Sequence, residues 1–304
     1  MRTKAGGDAY IWKYIKDDGR VIMPQTEINK ALSSFKIPPE LYHYCSATAF
    51  LSIIKSHSLY LADTRHAGDY LEKKWLVVKV LAEVIKSCKD KSLQDRLRSL
   101  HHFTTLETDN SSLFITSFSA QRDLLSQWRG YAADGGGFAI GLNTAKLNAA
   151  VGLPDKHNAG LCLAPAVYEF EKQYALVKNV VDAYTARKNT SGWTDEDYRD
   201  TELLRKLSLI CKNPAFKEEA EWRLLHTPAI DNDLSHNSQY KLGFRDTGNA
   251  ISPYFDWEFD KTAISHILIG PANRTSVSDV RWLLKDAGYP DAVKVEKSCA
   301  SYAK

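Results

Sequence analysis

The sequence predicts an α+β fold in one domain, and three observations lead there. Short β-branched and aromatic runs recur along the chain. They are mixed with amphipathic helical stretches but show no regular strand–helix–strand alternation, which argues against a doubly wound sheet. The helical stretches gather in two blocks, near 70–106 and 171–212, so they read as insertions into a sheet-based domain spanning 41–304. Residues 1–40 are polar and irregular in pattern, end in Pro38-Pro39, and read as an N-terminal arm.

Taken in order, LYHYC (41–45) is a short strand. Ser46 stands at a helix N-cap position, followed by Ala49, Phe50, Ile53 and Ile54 at helical spacing. Leu59–Ala62 is a second strand and Asp63–Asp69 a polar loop. Leu76, Val77, Val80, Leu81, Val84 and Ile85 form an apolar helical stripe, and a further helix runs through Leu93, Leu97 and Leu100. LFITSFS (113–119) is a strand, and DLLSQWRGYA a short helix or turn. Gly135-Gly136-Gly137 then turns into the strand FAIGL (138–142), the glycines permitting positive φ or close backbone approach. Residues 162–170 are expected to give a strand around Ala166–Phe170. Helix follows over 171–212, interrupted near Thr190–Trp193 and ending before Pro214. EWRLLH (221–226) is a strand, with further strands at 239–244, 251–259 and 266–270, a helix at Val277–Ala287 and a last strand at Ala292–Val295.

Composition sets bounds on function. The 304 residues are 44% hydrophobic and 25% charged, values of an ordinary globular chain with a sizeable core. Forty basic against 37 acidic residues leave a net charge of +3, without the basic stripe of a nucleic-acid binder. Cys45, Cys88, Cys162, Cys211 and Cys299 are odd in number and widely spaced, which fits neither a disulfide framework nor a zinc ribbon and suggests a reducing, cytoplasmic setting. The first residues lack an apolar signal core, and the longest apolar stretch, Trp75–Ile85, is too short to span a membrane.

Phosphate-loop, dinucleotide-fingerprint, HExxH and GxSxG motifs are missing, and His101-His102 cannot point the same way from one helix. Three polar segments beside apolar strand remain. In Tyr42-His43-Tyr44, followed by Ser46, His43 points opposite to its neighbours and is either a ribose-binding group or a hydrogen-bonded core histidine. Ser117 and Ser119 share one face of their strand, ahead of Asp123, Ser126, Gln127, Trp128, Arg129 and Tyr131. That segment is either a binding surface or a core tryptophan beside a structural arginine. Glu219 and Glu221 fall on one face if the strand begins there. Two such carboxylates repel, and one pKa rises unless a cation is near. They mark a site, or a solvated acidic turn with Arg223 as counter-ion.

Together these stretches resemble the bacterial domain-of-unknown-function family 2971. The resemblance rests on LYHYCSATAFLSIIKSHSLYLAD, FITSFSAQRDLLSQWRGYAADGGGFAIGL, FKEEAEWRL, HILIGP and VKVEKSCASY, within 41–302. Where members often carry Asn-Asp after the second strand, this chain has Ala67-Gly68-Asp69 and then Glu72. That family is similar in turn to ADP-ribosyltransferases, whose split, mixed or antiparallel sheet binds NAD in a cleft. The resemblance implies NAD as substrate, Glu221 stabilising the ribose cation and Glu219 orienting or deprotonating the acceptor. It further implies His43 at the adenosine ribose, Ser117 and Ser119 on the second motif strand, Tyr131 or Trp128 stacked on nicotinamide, and Arg129 at the pyrophosphate. The activity it implies is transfer of ADP-ribose to a protein or nucleic-acid acceptor by a toxin or defence effector, with an antitoxin or immunity partner. NAD glycohydrolysis, a non-catalytic nucleotide-sensing or protein-binding module, and a nuclease are the competing expectations.

Overall fold

The computed structural model describes residues 24–66, 74–110, 113–154, 161–187, 192–228, 239–248 and 250–302. Residues 1–23 of the expected arm, and the Ala67–Glu72 stretch, lie outside them. The described part of the arm is not irregular throughout: Pro24–Ser33 is a helix, α1, with Ile28 and Leu32 fully buried.

Among the described residues, eleven strands form one mixed sheet. They are β1 (Glu40–Cys45), β2 (Ser58–Asp63), β3 (Phe114–Ser119), β4 (Phe138–Asn143), β5 (Ala150–Val151), β6 (Leu161–Pro165), β7 (Glu221–His226), β8 (Lys241–Asp246), β9 (Ile251–Glu258), β10 (Ile264–Ile269) and β11 (Lys294–Lys297). The main path runs β11-β10-β4-β1-β3-β2-β9-β8, and β7, β6 and β5 extend from β3. The helices beyond α1 are α2 (Ala47–Ser56), α3 (Ala82–Ser87, continuing a π-helical stretch over Leu76–Leu81), α4 (Gln94–Asn110), α5 (Leu125–Tyr131), α6 (Phe170–Ala186), α7 (Asp195–Ser208) and α8 (Val277–Asp286). None of the described helices is long and apolar enough to cross a membrane.

The sequence explains most of these boundaries. Ser46 caps α2 by accepting from the Ala49 amide, and His57 ends it in the left-handed conformation. Thr194 and Asp197 form a capping box at α7, as Ser276 and Asp279 do at α8. Gly135 takes φ 82°, and a Cβ on Gly137 would collide with the Cys45 carbonyl, so both glycines before β4 are required. The strand expected within 162–170 is present but lies earlier than Ala166–Phe170: the paired segment is Leu161–Pro165, residues 166–169 cross to the helical layer, and Val167 bridges Cys211.

Two large cores lie on either side of β7. Leu224 packs with Phe114, Phe118, Ile140 and Ile267, whereas Leu225 packs with the helical layer through Val177, Leu204 and Leu207. All six residues of β7 are therefore buried, as expected of a strand covered on both faces. Gln173 of α6 pins the helical layer to the crossing segment. Its amide donates to the carbonyls of Val167 (2.6 Å) and Lys212 (2.7 Å) and accepts from Trp75 Nε1 (2.9 Å).

The fork at β3 shapes the molecule. One edge of β3 pairs with β7 along its whole length. The other is shared: Phe114 and Ile115 pair with β2, and Ser119 alone pairs with β1. Between them the sheet splits, and side chains meet the freed backbone groups. Thr116 Oγ1 donates to the Tyr60 carbonyl (2.6 Å), and His43 Nδ1 donates to the Ser117 carbonyl (3.0 Å).

Gln173→Leu leaves two carbonyls and an indole N–H without their partner, so it is expected to lower unfolding free energy by about 2–4 kcal/mol, read from urea-unfolding midpoints.

Candidate functional site

A cleft of about 80 Å³ is lined by Tyr42, His43, Tyr44, Ser117, Phe118, Gln127, Tyr131, Glu219 and Glu221. Three separate stretches of chain supply it, and the pairing of β3 with β1 and β7 brings them together. The space is small beside the 300–1,000 Å³ or so of a typical small-molecule site. It takes a fragment such as one ring or one sugar, with the rest of any larger ligand outside the mouth.

His43 is half-buried on β1, edge-on to Phe118. A carbonyl only accepts, so the hydrogen bond to Ser117 places the proton on Nδ1 and leaves Nε2 as an acceptor in the neutral ring. Burial lowers the His43 pKa, and the Ser117 carbonyl opposes that only in part, so the ring is neutral near pH 7. Ser117 is exposed at the cleft. Ser119 is buried and committed elsewhere, donating to the Glu219 carbonyl (2.7 Å) and accepting from the Gln121 amide (3.0 Å). Its role is to fix the turn that carries Glu219.

Helix α5 separates the residues that sequence spacing grouped. Tyr131 is exposed and its hydroxyl lies 3.5 Å from Glu219 Oε1. Trp128 is fully buried, packed edge-on against Tyr44 and donating through Nε1 to Asp123 (2.6 Å). The expectation that Trp128 stacks on a ligand is therefore corrected, because its ring belongs to a core with Tyr42, Tyr44 and Leu268. Arg129 is exposed and lies over the Tyr302 ring, outside the residues that line the cleft. Asp123 also receives the Ser298 hydroxyl and the Cys299 amide, which ties the C-terminal tail to α5.

The two glutamates converge as expected, by a different local route. The strand begins at Glu221, Glu219 ends a 3₁₀ turn over Pro214–Glu219, and Ala220 between them is left-handed at φ 43°. The cation that reconciles them is Lys212, buried at the end of the crossing from α7, which reasoning from sequence missed. Its Nζ donates to Glu219 Oε2 (2.5 Å) and Glu221 Oε2 (2.7 Å). No local pattern marks Lys212; only its nearness to Glu219 and Glu221, seven and nine residues on, hints at it.

Arg223 completes the arrangement, with Nε on Glu221 Oε1 (2.8 Å), Nη2 on Oε2 (2.9 Å) and Nη1 on the Leu209 carbonyl. Burial alone would raise the Glu221 pKa, but the Arg223 fork and Lys212 together hold it down at about 2. Both Glu221 oxygens are engaged, whereas Glu219 keeps Oε1 toward Tyr131. Glu219 is thus the carboxylate better placed to meet a ligand, and Glu221 the one that holds the cations.

Removing Glu221 leaves Lys212 and Arg223 undercompensated in a buried setting. Glu221→Gln is expected to cost about 3–5 kcal/mol in urea unfolding, and Glu219→Gln clearly less, because Lys212 keeps Glu221. The pH dependence follows from the depressed pKa. The contribution of Glu221 is full above its ordinary value of 4.5 and is lost as pH falls through about 2, amounting to about 3 kcal/mol. Unfolding free energy should therefore drop across that acid window, and Glu221→Gln should flatten part of the drop.

No curated protein and no solved structure matches the chain. The segment from Gln127 to Leu224, which holds α5 from Gln127 onward, Lys212 and the Glu219–Arg223 network, matches the family model described as Protein of unknown function (DUF2971).

Proposed function

We propose that the cleft binds the nicotinamide–ribose portion of NAD, breaks the bond between them and passes ADP-ribose to a macromolecular acceptor. The observation that supports this most is the meeting, in one cleft, of a neutral histidine, an exposed serine, an exposed tyrosine and a paired carboxylate. The C–N bonding electrons leave with the ring nitrogen, so nicotinamide departs neutral and needs no general acid. Positive charge develops on the ribose, as in glycoside cleavage. Glu219 is the group that touches substrate. Its Oε1 accepts a ribose hydroxyl or the proton of the attacking acceptor, and Tyr131 orients it. Glu221 acts through Lys212 as a positioning residue. Ser117 and His43 Nε2 supply hydrogen bonds to the sugar, and water in place of the acceptor would give free ADP-ribose.

A second reading has its own support. Four buried charges that cancel, around a cleft of about 80 Å³, also suit a module that senses a nucleotide without turnover.

Purified protein, with and without cell lysate as acceptor source, is expected to release nicotinamide from NAD. Glu219→Gln should lower the rate by about 10²–10³-fold with folding intact. Absence of release together with an NAD-dependent rise in Tm would favour the sensing module. Absence of both would remove NAD as the ligand.

A further inference from the structure

We propose that Gln127 is the residue with which the cleft reads its ligand, its carboxamide pairing with the amide of an uncharged planar ring. The proposal rests on the NAD reading and assigns the nicotinamide ring to this residue.

Gln127 lies on α5, is 7% exposed and lines the cleft. Among the described residues its side chain has no hydrogen-bond partner, and neither amide atom is sealed away from open space. Burying a carboxamide is unfavourable unless its donors and acceptor are met. Gln173 shows the usual solution in this same chain, with three hydrogen bonds to protein groups at full burial. Gln127 is left unmet at the one place where a ligand could meet it.

Its position is fixed before any ligand arrives. The adjacent Trp128 is locked by Asp123 at 2.6 Å, its amide bonds Leu124, and its carbonyl receives the Ala132 and Gly135 amides. Asp123 is held in turn by the C-terminal tail. A side chain on such a support is preorganised rather than adaptable.

The surroundings select the ligand. Tyr42, Tyr44 and Phe118 contribute aromatic wall, which suits a flat ring. Lys212 and Arg223 balance the charge of the glutamate pair, but Glu219 keeps Oε1 on the Tyr131 side of the cleft, where an anionic substituent beside it is disfavoured. A carboxamide both donates and accepts, and its natural complement is another amide. Nicotinamide meets all three conditions, whereas nicotinate, with a carboxylate in place of the amide, meets only the first.

The test titrates nicotinamide, nicotinate and ADP-ribose separately into the full chain and into Gln127→Met, with Tm of the unliganded proteins alongside. The parent should bind nicotinamide about tenfold or more tightly than nicotinate, and the variant should lose about tenfold for nicotinamide while keeping its ADP-ribose affinity. Its unliganded Tm should hold, since no hydrogen bond to a protein group is removed. Equal nicotinamide binding by parent and variant would overturn the role of Gln127 and leave the NAD reading standing. A fall in unliganded Tm, or failure to fold, would make Gln127 structural and overturn it too. If the parent bound neither nicotinamide nor ADP-ribose, the NAD reading itself would fall and take this assignment with it.

Discussion

Lys212 sits between two buried carboxylates, and much of the structure follows from that one contact. Glu219, Glu221, Lys212 and Arg223 carry two negative and two positive charges that cancel inside the protein. Four charges away from water are tolerated only when every one is paired with good geometry. The pairing also joins parts of the chain. Arg223 reaches the Leu209 carbonyl beyond α7, and Gln173 of α6 holds the Lys212 carbonyl. Sheet, helical layer and 3₁₀ turn therefore share a single polar junction, and Glu219 is presented at the cleft as part of it.

The cleft has an equally specific cause. A strand has two edges, and β3 gives one of them to two partners that diverge. The cleft lies on the β1 side of that divergence, and His43 and Thr116 occupy the backbone groups that a neighbouring strand would have used. The far wall is α5, clamped by Asp123 to the tail. Rigid elements thus surround the carboxylate whose Oε1 faces Tyr131 at the cleft, an arrangement suited to preorganised electrostatics.

Much of the fold was legible in the sequence because local periodicity reports burial directly. LYHYC, LFITSFS, FAIGL and EWRLLH are strands where their β-branched and aromatic composition puts them, and Ser46 caps its helix as its position suggests. The errors share a physical origin. Residues 24–33 carry only a few apolar side chains, and α1 is buried through Ile28 and Leu32 by the helical layer rather than by strong local pattern. Ala166–Phe170 is apolar enough for a strand, yet only Val167 bridges another segment there, because the chain is crossing between layers.

By itself the sequence determined which segments alternate, that Ser46 caps a helix, and that His43, Ser117, Ser119, Trp128, Arg129, Tyr131, Glu219 and Glu221 deserve to be considered together. Spacing along the chain fixes the face a side chain takes, and motif order fixes the neighbourhood. Only the tertiary structure decided what each of those side chains meets. Tyr131 and Glu219 are 88 residues apart in sequence and 3.5 Å apart in space. The burial of Trp128, the commitment of Ser119 to a turn, the bridging by Lys212 and the unmet amide of Gln127 all depend on such distant partners. Hydrogen bonding and charge compensation act through space, and a one-dimensional pattern carries no record of which distant group will supply them.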